Sequence, residues 1–376
     1  MMKKIIAVFL IAVVICTAAG CSQNGSGDNE SKTEASNASE QSTKSSTKAK
    51  TGSDKVDAVL SKLKAVDFGG IVYAEKGGME VFSYSSGKLY NDVPIKMDTP
   101  MPIGSVSKQF CAAAVMILQE KGKLSVNDKL DKYYPEYKEA SKITLHQMLC
   151  HRSGIPNFDE NTFFEDITYD HTDEENTKIM LKWVFEQPLL FEPDTDFTYS
   201  NLNFTLLSNI VEKVSGESYI AFLRENIFKP LGMEHTGSVD ELDSSPEWAK
   251  GFSYVNDDFV PVGRQPGLCK GGGDIVSTAS DMTLWMKGLS SGKVVSEESY
   301  KAMTSDYTNT SDNYGYGLYV NFAGGVGHLG STGHFTACDC IVEKDGLTIF
   351  MASNSGSGKN IITNQLFILS SALRES

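Results

Sequence analysis

The chain is short of basic residues. Across 376 residues, 34 Lys and Arg stand against 48 Asp and Glu, a net charge of −14. That balance argues against a nucleic-acid partner, because phosphate binding needs a basic surface. Histidine is scarce, with six residues, and none falls in an H-x-H or H-E-x-x-H pattern; the seven cysteines form no C-x-x-C. Zinc is therefore disfavoured. No internal repeat is visible, which argues against solenoids and propellers. The longest apolar run, Ile5 to Cys16, has twelve residues, short of the roughly 20 a bilayer-spanning helix needs. What remains is an ordinary globular composition, 40% hydrophobic and 22% charged. It supports a sizeable core in one large domain or two medium ones.

The twelve-residue run follows Lys3 and Lys4 and precedes Ala18-Ala19-Gly20 and Cys21. A positive start, a short apolar stretch and small residues read as an export signal over residues 1–21. The cysteine directly after the small residues resembles a bacterial lipoprotein signal, which implies cleavage before Cys21 and lipidation of its thiol. The competing reading is a plain secretory signal with a chance cysteine. Two or more acyl chains would hold the protein at a membrane, where one is marginal.

Residues 22–54 contain three alanines and no larger apolar side chain. Such a stretch cannot offset its ordering entropy by burial, so a disordered tether is expected, reaching about 30 Å as a flexible coil. Loss of the signal lowers the basic count from 34 to 32 against 48 acids, leaving −16. The membrane partner is then the N-terminal lipid alone. Cys111, Cys150, Cys269, Cys338 and Cys340 remain. Their number is odd, and Cys338 and Cys340 are poorly placed to bridge each other two apart in a strand-like run, so no disulfide framework is read.

From residue 55 the pattern changes. Val56, Val59, Leu60 and Leu63 make a helical stripe. Phe68–Ala74 and Glu80–Tyr84 are strand-like around Lys76-Gly77-Gly78, a hairpin signal. Residues 105–121 are apolar almost all round, which predicts a buried helix. Helical patterns continue over 143–151, 175–187, 203–214, 217–228, 278–289 and 296–303. Strand signals return at 316–321, 335–342 and 347–353, and 360–374 reads as a closing helix. Terminal strands around a helical middle predict an α+β fold: one antiparallel sheet from both chain ends, flanked by helices, with a helical region inserted. Residues 55–376 show no break that would mark a second domain.

Three short motifs carry candidate chemistry. In Gly104-Ser105-Val106-Ser107-Lys108, Ser105 opens a helix, and Lys108 lies one turn on along the same face. A buried lysine can take a serine proton. Ser45, Ser61, Ser85 and Ser290 share the spacing, but only Ser105 opens a buried helix. In Tyr199-Ser200-Asn201, a phenol could shuttle a proton and an amide could hold a substrate amide. Y-x-N recurs at Tyr254, Tyr307 and Tyr319; Tyr199 stands in a turn ahead of a helical run, where function concentrates. In Gly327-His328-Leu329-Gly330-Ser331, glycines let a substrate backbone approach, and a strand N–H could complete an oxyanion hole with that of the serine. His235-Thr236-Gly237 imitates this motif but reads as a turn without a following strand. Gly288-Leu289-Ser290-Ser291-Gly292 matches G-x-S-x-G, yet a helix rather than a strand precedes it. His146 and His151, five apart on a predicted helix, diverge by about 140° and read as structural.

Taken in order, these residues resemble the serine β-lactamase and penicillin-binding superfamily, in its class C and D-alanyl-D-alanine carboxypeptidase branch. The resemblance spans 65–355. It includes Phe68-Gly69-Gly70, Thr99 through Lys108, Gly122-Lys123-Leu124-Ser125 with Asp128, and Ile143 through Leu149 with His151 and Ser153-Gly154. Tyr199-Ser200-Asn201, Pro230-Leu231-Gly232-Met233, Gly271-Gly272-Gly273 with Ser277-Thr278-Ala279, and His328-Leu329-Gly330 continue the order. The resemblance implies Ser105 as acylated nucleophile, Lys108 as its base partner and Tyr199 as proton shuttle. Asn201, His328, Gly330 and Ser331 would bind substrate, with the N–H groups of Ser105 and Ser331 as oxyanion hole. It implies no metal and no organic cofactor.

Two departures bear on substrate. Asp194 stands where the family often has glycine, and aspartate tolerates left-handed geometry. His328 stands where class C lactamases have lysine and is at most a weak cation at pH 7. The acidic stretch Glu165 to Glu175 is read as a solvated loop rather than a cleft rim. The expected function is a surface-anchored serine hydrolase acting on a small peptide, β-lactam or ester. Cell-wall-type D-amino-acid peptides come first. An esterase or weak β-lactamase, and a slow-turnover penicillin- or wall-binding module, are the alternatives. Oligomeric state has no signal in the sequence.

Overall fold

The computed structural model describes residues 46–49, 54–66, 68–89, 93–158, 173–242, 251–255, 258–262, 270–308, 310–332, 335–354 and 358–375. The export signal, Cys21, Cys269 and the acidic stretch up to residue 172 lie outside them.

Among the described residues the main sheet has seven strands: β1 (Ser46–Ala49), β2 (Gly70–Lys76), β3 (Met79–Ser86), β9 (Tyr319–Phe322), β10 (Gly325–Thr332), β11 (Phe335–Val342) and β12 (Leu347–Ser353). Their order is β1-β3-β2-β12-β11-β10-β9. The chain ends meet at the antiparallel pair β2–β12, where Phe350 lies opposite Tyr73 and Met351 opposite Val72. The α+β fold with an inserted helical region is therefore as expected. One difference lies in the tether: Ser46–Ala49 pairs with Phe82–Ser85 as an edge strand. An edge strand's unpaired N–H and C=O groups accept any extended segment, so a polar stretch can join without apolar burial.

Strands buried on both faces read as continuous apolar runs, and period 2 divides them between two cores. Val72, Cys338, Cys340, Ile349 and Met351 pack with helices α1 (Asp54–Ala65) and α9 (Gly358–Glu375). Ile71, Ala337, Ile341, Phe350 and Ala352 face the larger, helical side. That side holds α2 (Lys108–Glu120), buried from Lys108 through Leu118 as its all-round apolar pattern requires. Around it lie α3 (Leu145–Leu149), α4 (Asp173–Glu186), α5 (Asn201–Ser215), α6 (Tyr219–Leu223), α7 (Ala279–Ser290) and α8 (Glu297–Met303). A small second sheet joins β4 (Met101–Pro102), β8 (Ile275–Ser277) and β5 (Gly237–Ser238). A hairpin of β6 (Gly251–Val255) and β7 (Asp258–Val262) stands apart.

Two readings are corrected locally. The helix expected over 143–151 is shorter. It starts with a capping box at Thr144 and Gln147 and ends at Leu149, leaving His151 outside in left-handed backbone at φ 58°. A capping box fixes a helix start but says nothing of its end. The turn at His235 does lead into a strand, the two-residue β5, because Gly237 pairs with Val276.

Candidate active site

The nucleophile segment is a 3₁₀ turn, Gly104–Ser107, that runs directly into α2. Gly104 has φ +51°, a conformation glycine adopts without strain. β8 holds the turn from one side: Ile103 N–H donates to Ile275 O at 3.0 Å, and Ile275 N–H donates to Ser107 Oγ at 3.1 Å. Ser105 is thus fixed by its neighbours on both sides rather than by its own side chain.

Lys108 is fully buried. Its Nζ donates to Ser105 Oγ at 2.9 Å, to Asn201 Oδ1 at 2.8 Å and to Gly272 O at 2.6 Å. It also lies 4.9 Å from the centre of the Tyr199 ring. Tyr199 is placed by the turn before α5. Ser200 N–H donates to His151 Nδ1, Ser200 Oγ donates to Pro156 O, and Asn201 N–H donates to Asn157 Oδ1. The His151 ring packs against Tyr199, its centre 4.3 Å away and its plane tilted by 37°. Its Nδ1 accepts from the Ser200 amide and faces Asn203 Nδ2, so the ring is neutral with its proton on Nε2. Burial, with Lys108 nearby, holds its pKa well below the usual histidine range. His151 is structural, as expected, but its place is behind the tyrosine.

The third wall is β10. A methyl group at Gly330 would sit 2.0 Å from Ile103 O and 2.8 Å from Ser105 N; one at Gly104 would sit 2.7 Å from Ser331 N. Two glycines therefore let the turn and the strand touch, which brings the amides of Ser105 and Ser331 to adjacent positions. His328 is buried, and its tautomer follows from its partners. Leu329 O can only accept, so Nδ1 carries the proton at 2.7 Å; Nε2 then accepts from Tyr314 OH at 2.9 Å. Burial, then the charge of Lys108, pushes the pKa down to about 3. His328 is a neutral ring with both nitrogens engaged. Ser105, Tyr199, His328 and Ser331 all line one cleft of about 560 Å³, with Asp312, Tyr319 and Phe322 among the other lining residues.

All seven residues picked from the three motifs converge here. Three of the decoys lie elsewhere: Ser61 is exposed on α1, Ser290 ends α7, and Tyr307 stacks on Tyr316. Tyr319 does line the cleft, but beside His328 rather than Lys108. Asp194 adopts φ 68°, as a glycine would. Its carboxylate accepts from Gln147 Nε2 at 2.6 Å and from Arg152 Nε at 3.2 Å, tying the strap before Tyr199 to α3. Sequence reasoning missed Gly272 O, Asn157, Tyr314 and the buried pair Gln109 and Asp339. A carbonyl has no sequence signal, and the other four gain meaning only from partners far along the chain. Among the described residues no cluster of His, Cys, Asp and Glu could hold a metal.

A lysine on a serine, beside a tyrosine and an asparagine and across from a glycine-lined strand amide, can form and release an acyl ester. The family profile described as Beta-lactamase matches residues 61–370. The chain belongs to the beta-lactamase family. Within that family it is 30% identical over 327 residues to "Putative penicillin-binding protein PbpX" of Bacillus subtilis (strain 168), covering 83% of this chain and 80% of that protein. The octameric penicillin-binding protein homologue from Pyrococcus abyssi superposes with a TM-score of 0.71 at 27% identity, covering 86% of this chain and 78% of the other. The D-amino acid amidase from Ochrobactrum anthropi SV3, complexed with D-phenylalanine, shares the fold with a TM-score of 0.73 at 22% identity, covering 86% and 99%. This beta-lactamase family member is a serine hydrolase of the penicillin-binding-protein-like kind.

Proposed function

We propose that the chain is a surface-anchored hydrolase that works through a Ser105 acyl-enzyme on D-amino-acid peptides of the cell-wall type, in the manner of a D-alanyl-D-alanine carboxypeptidase. The observation that carries this reading is Lys108 Nζ at 2.9 Å from Ser105 Oγ in a buried site that also holds Asn201. For attack Lys108 must first have shed one proton. Nζ then keeps its bonds to Asn201 Oδ1 and Gly272 O and takes the Ser105 proton on its lone pair, reversing the Ser105 bond, while Oγ attacks the substrate carbonyl carbon. The amides of Ser105 and Ser331 stabilise the oxyanion. The C–N bond then breaks, and Tyr199 passes a proton to the leaving amine. Water hydrolyses the ester and restores Ser105. Asn201 holds the substrate amide, and Gly330 keeps the strand close enough for Ser331 to act. Lipidated Cys21 and the residues between it and β1 tether the domain outside the membrane.

Neutral His328 favours a second reading, an esterase or weak β-lactamase, because it gives the cleft no added positive charge to draw a substrate carboxylate. Intact-mass spectrometry after incubation with a fluorophosphonate and, separately, a penicillin tests the proposal, with Ser105→Ala alongside. Adducts from both that the alanine variant loses are the expected result. A fluorophosphonate adduct alone moves the reading to esterase, or to a peptidase blind to β-lactams. No adduct on folded protein overturns the hydrolase reading in favour of a binding module.

A further inference from the structure

Asp339 sits in the middle of β11, directly opposite His328 on β10, and is fully buried. Its neighbours on the same face, Ala337 and Ile341, belong to the apolar core of the helical side. A carboxyl group there costs stability unless its oxygens are satisfied. Both are. Gln109 Nε2 donates to Oδ1 at 2.8 Å and to Oδ2 at 2.9 Å, and His328 N–H donates to Oδ1 at 2.8 Å. The direction of these bonds is fixed from outside. Trp285 Nε1–H can only donate, and it donates to Gln109 Oε1 at 3.0 Å. The other end of the Gln109 amide must then be its NH₂, and Asp339 must accept.

The two donors belong to different halves of the site. Gln109 follows Lys108 on α2, four residues after Ser105. His328 precedes Ser331 by three residues on β10. We propose that Asp339 is a positioning residue that clamps the nucleophile helix to the oxyanion strand and so sets the spacing between the Ser105 and Ser331 amides. This inference rests on the hydrolase reading given above. Apolar residues would fill the same space, but they would not fix the strand's register along the helix as three directed bonds do.

The titratable groups around the clamp do not compete with it. His328 is neutral, the Cys338 and Cys340 thiols are held protonated by burial, and Lys108 Nζ is committed to Ser105, Asn201 and Gly272. Phe350 faces Asp339 from β12, and Trp285 reaches it only through Gln109. Burial raises the Asp339 pKa to about 7, against the pull of Gln109 and His328 N–H. The fully accepting clamp is the ionised form, so it strengthens as pH rises through neutrality.

The test is the rate of Ser105 acylation by a fluorophosphonate and by an activated p-nitrophenyl ester, from pH 5.5 to 8.5. It compares full-length wild type, Asp339→Asn, Gln109→Met and the double variant, each checked for folding by circular dichroism. Asp339→Asn keeps the shape but turns an NH₂ toward the Gln109 NH₂. The expected result is an acylation rate lowered roughly 10- to 100-fold in each single variant, with KM for the ester changed less than about threefold. The double variant should lose no more than either single one, and the rise in rate near pH 7 should vanish. If Asp339→Asn does not fold, Gln109→Met carries the test. Wild type acylating on Ser105 with folded variants within about twofold of it at every pH overturns the clamp alone. No acylation of folded wild type overturns the hydrolase reading and the clamp together.

Discussion

Asp339 and His328 are buried neighbours whose ionisable groups move in opposite directions for one reason. Burial disfavours charge, so it lowers the base to about 3 and raises the acid to about 7. For Asp339 the consequence for stability has a definite sign. The folded state keeps the proton to about pH 7, while the unfolded chain releases it near 3.8. Its contribution is therefore most favourable below the unfolded value and is lost as pH rises from about 4 to 7, a swing of about 4 kcal/mol. The melting temperature of wild type minus that of Asp339→Asn should fall between pH 4.5 and about 7 and level off above it; a flat difference throughout would mean that the carboxyl titrates normally. Ionisation that strengthens the clamp thus weakens the fold, the trade expected where a functional site is built into a core. His328 stays neutral over the same range, so it should add no titration near 6.5 to a rate profile.

Elements matter here through how closely they meet. The 3₁₀ turn and β10 touch backbone to backbone because Gly104 and Gly330 lack side chains. Gly330→Ala should drive the strand off the turn. The neighbours are backbone atoms of Ile103 and Ser105, which cannot rotate away as a flexible side-chain tip could. The expected outcome is a loss of acylation of at least about 100-fold, since a misplacement near 1 Å costs that much. The check is the rate of fluorophosphonate labelling alongside the melting temperature. Labelling at the wild-type rate in a folded variant would show that the strand amide is not needed. The helices were legible in outline because apolar spacing marks them. Their ends were less so, as at His151, where a left-handed residue terminates α3 and turns the chain toward Tyr199.

At the scale of the whole molecule, the two chain ends close one sheet and place α1 beside α9, with Lys55 Nζ 2.6 Å from Glu375 Oε2. Under the proposed function, lipidation of Cys21 holds the protein at a membrane. Cys21→Ser should release the protein from the membrane fraction to the soluble one, with catalytic rate per molecule unchanged, as measured by fractionation and ester turnover. Retention of the variant in the membrane fraction would refute lipid anchoring.

Ser105, Lys108, Tyr199, Asn201, His328, Gly330 and Ser331 were readable in the sequence. Spacing alone left rivals for each motif; it was their common order, through the resemblance to the serine β-lactamase and penicillin-binding superfamily, that chose among them, even though Ser105 and Ser331 are far apart along the chain. The α+β architecture was readable for a similar reason, since alternation and helical periodicity report which faces are buried. Only the tertiary structure decided what those residues lean on. Nothing near Asp339 in Cys338-Asp339-Cys340 tells that Gln109 will donate to it or that Trp285 will orient that glutamine. Hydrogen-bond direction depends on partners brought together by packing. A local pattern records which residues are buried, while the tertiary arrangement determines what they are buried against.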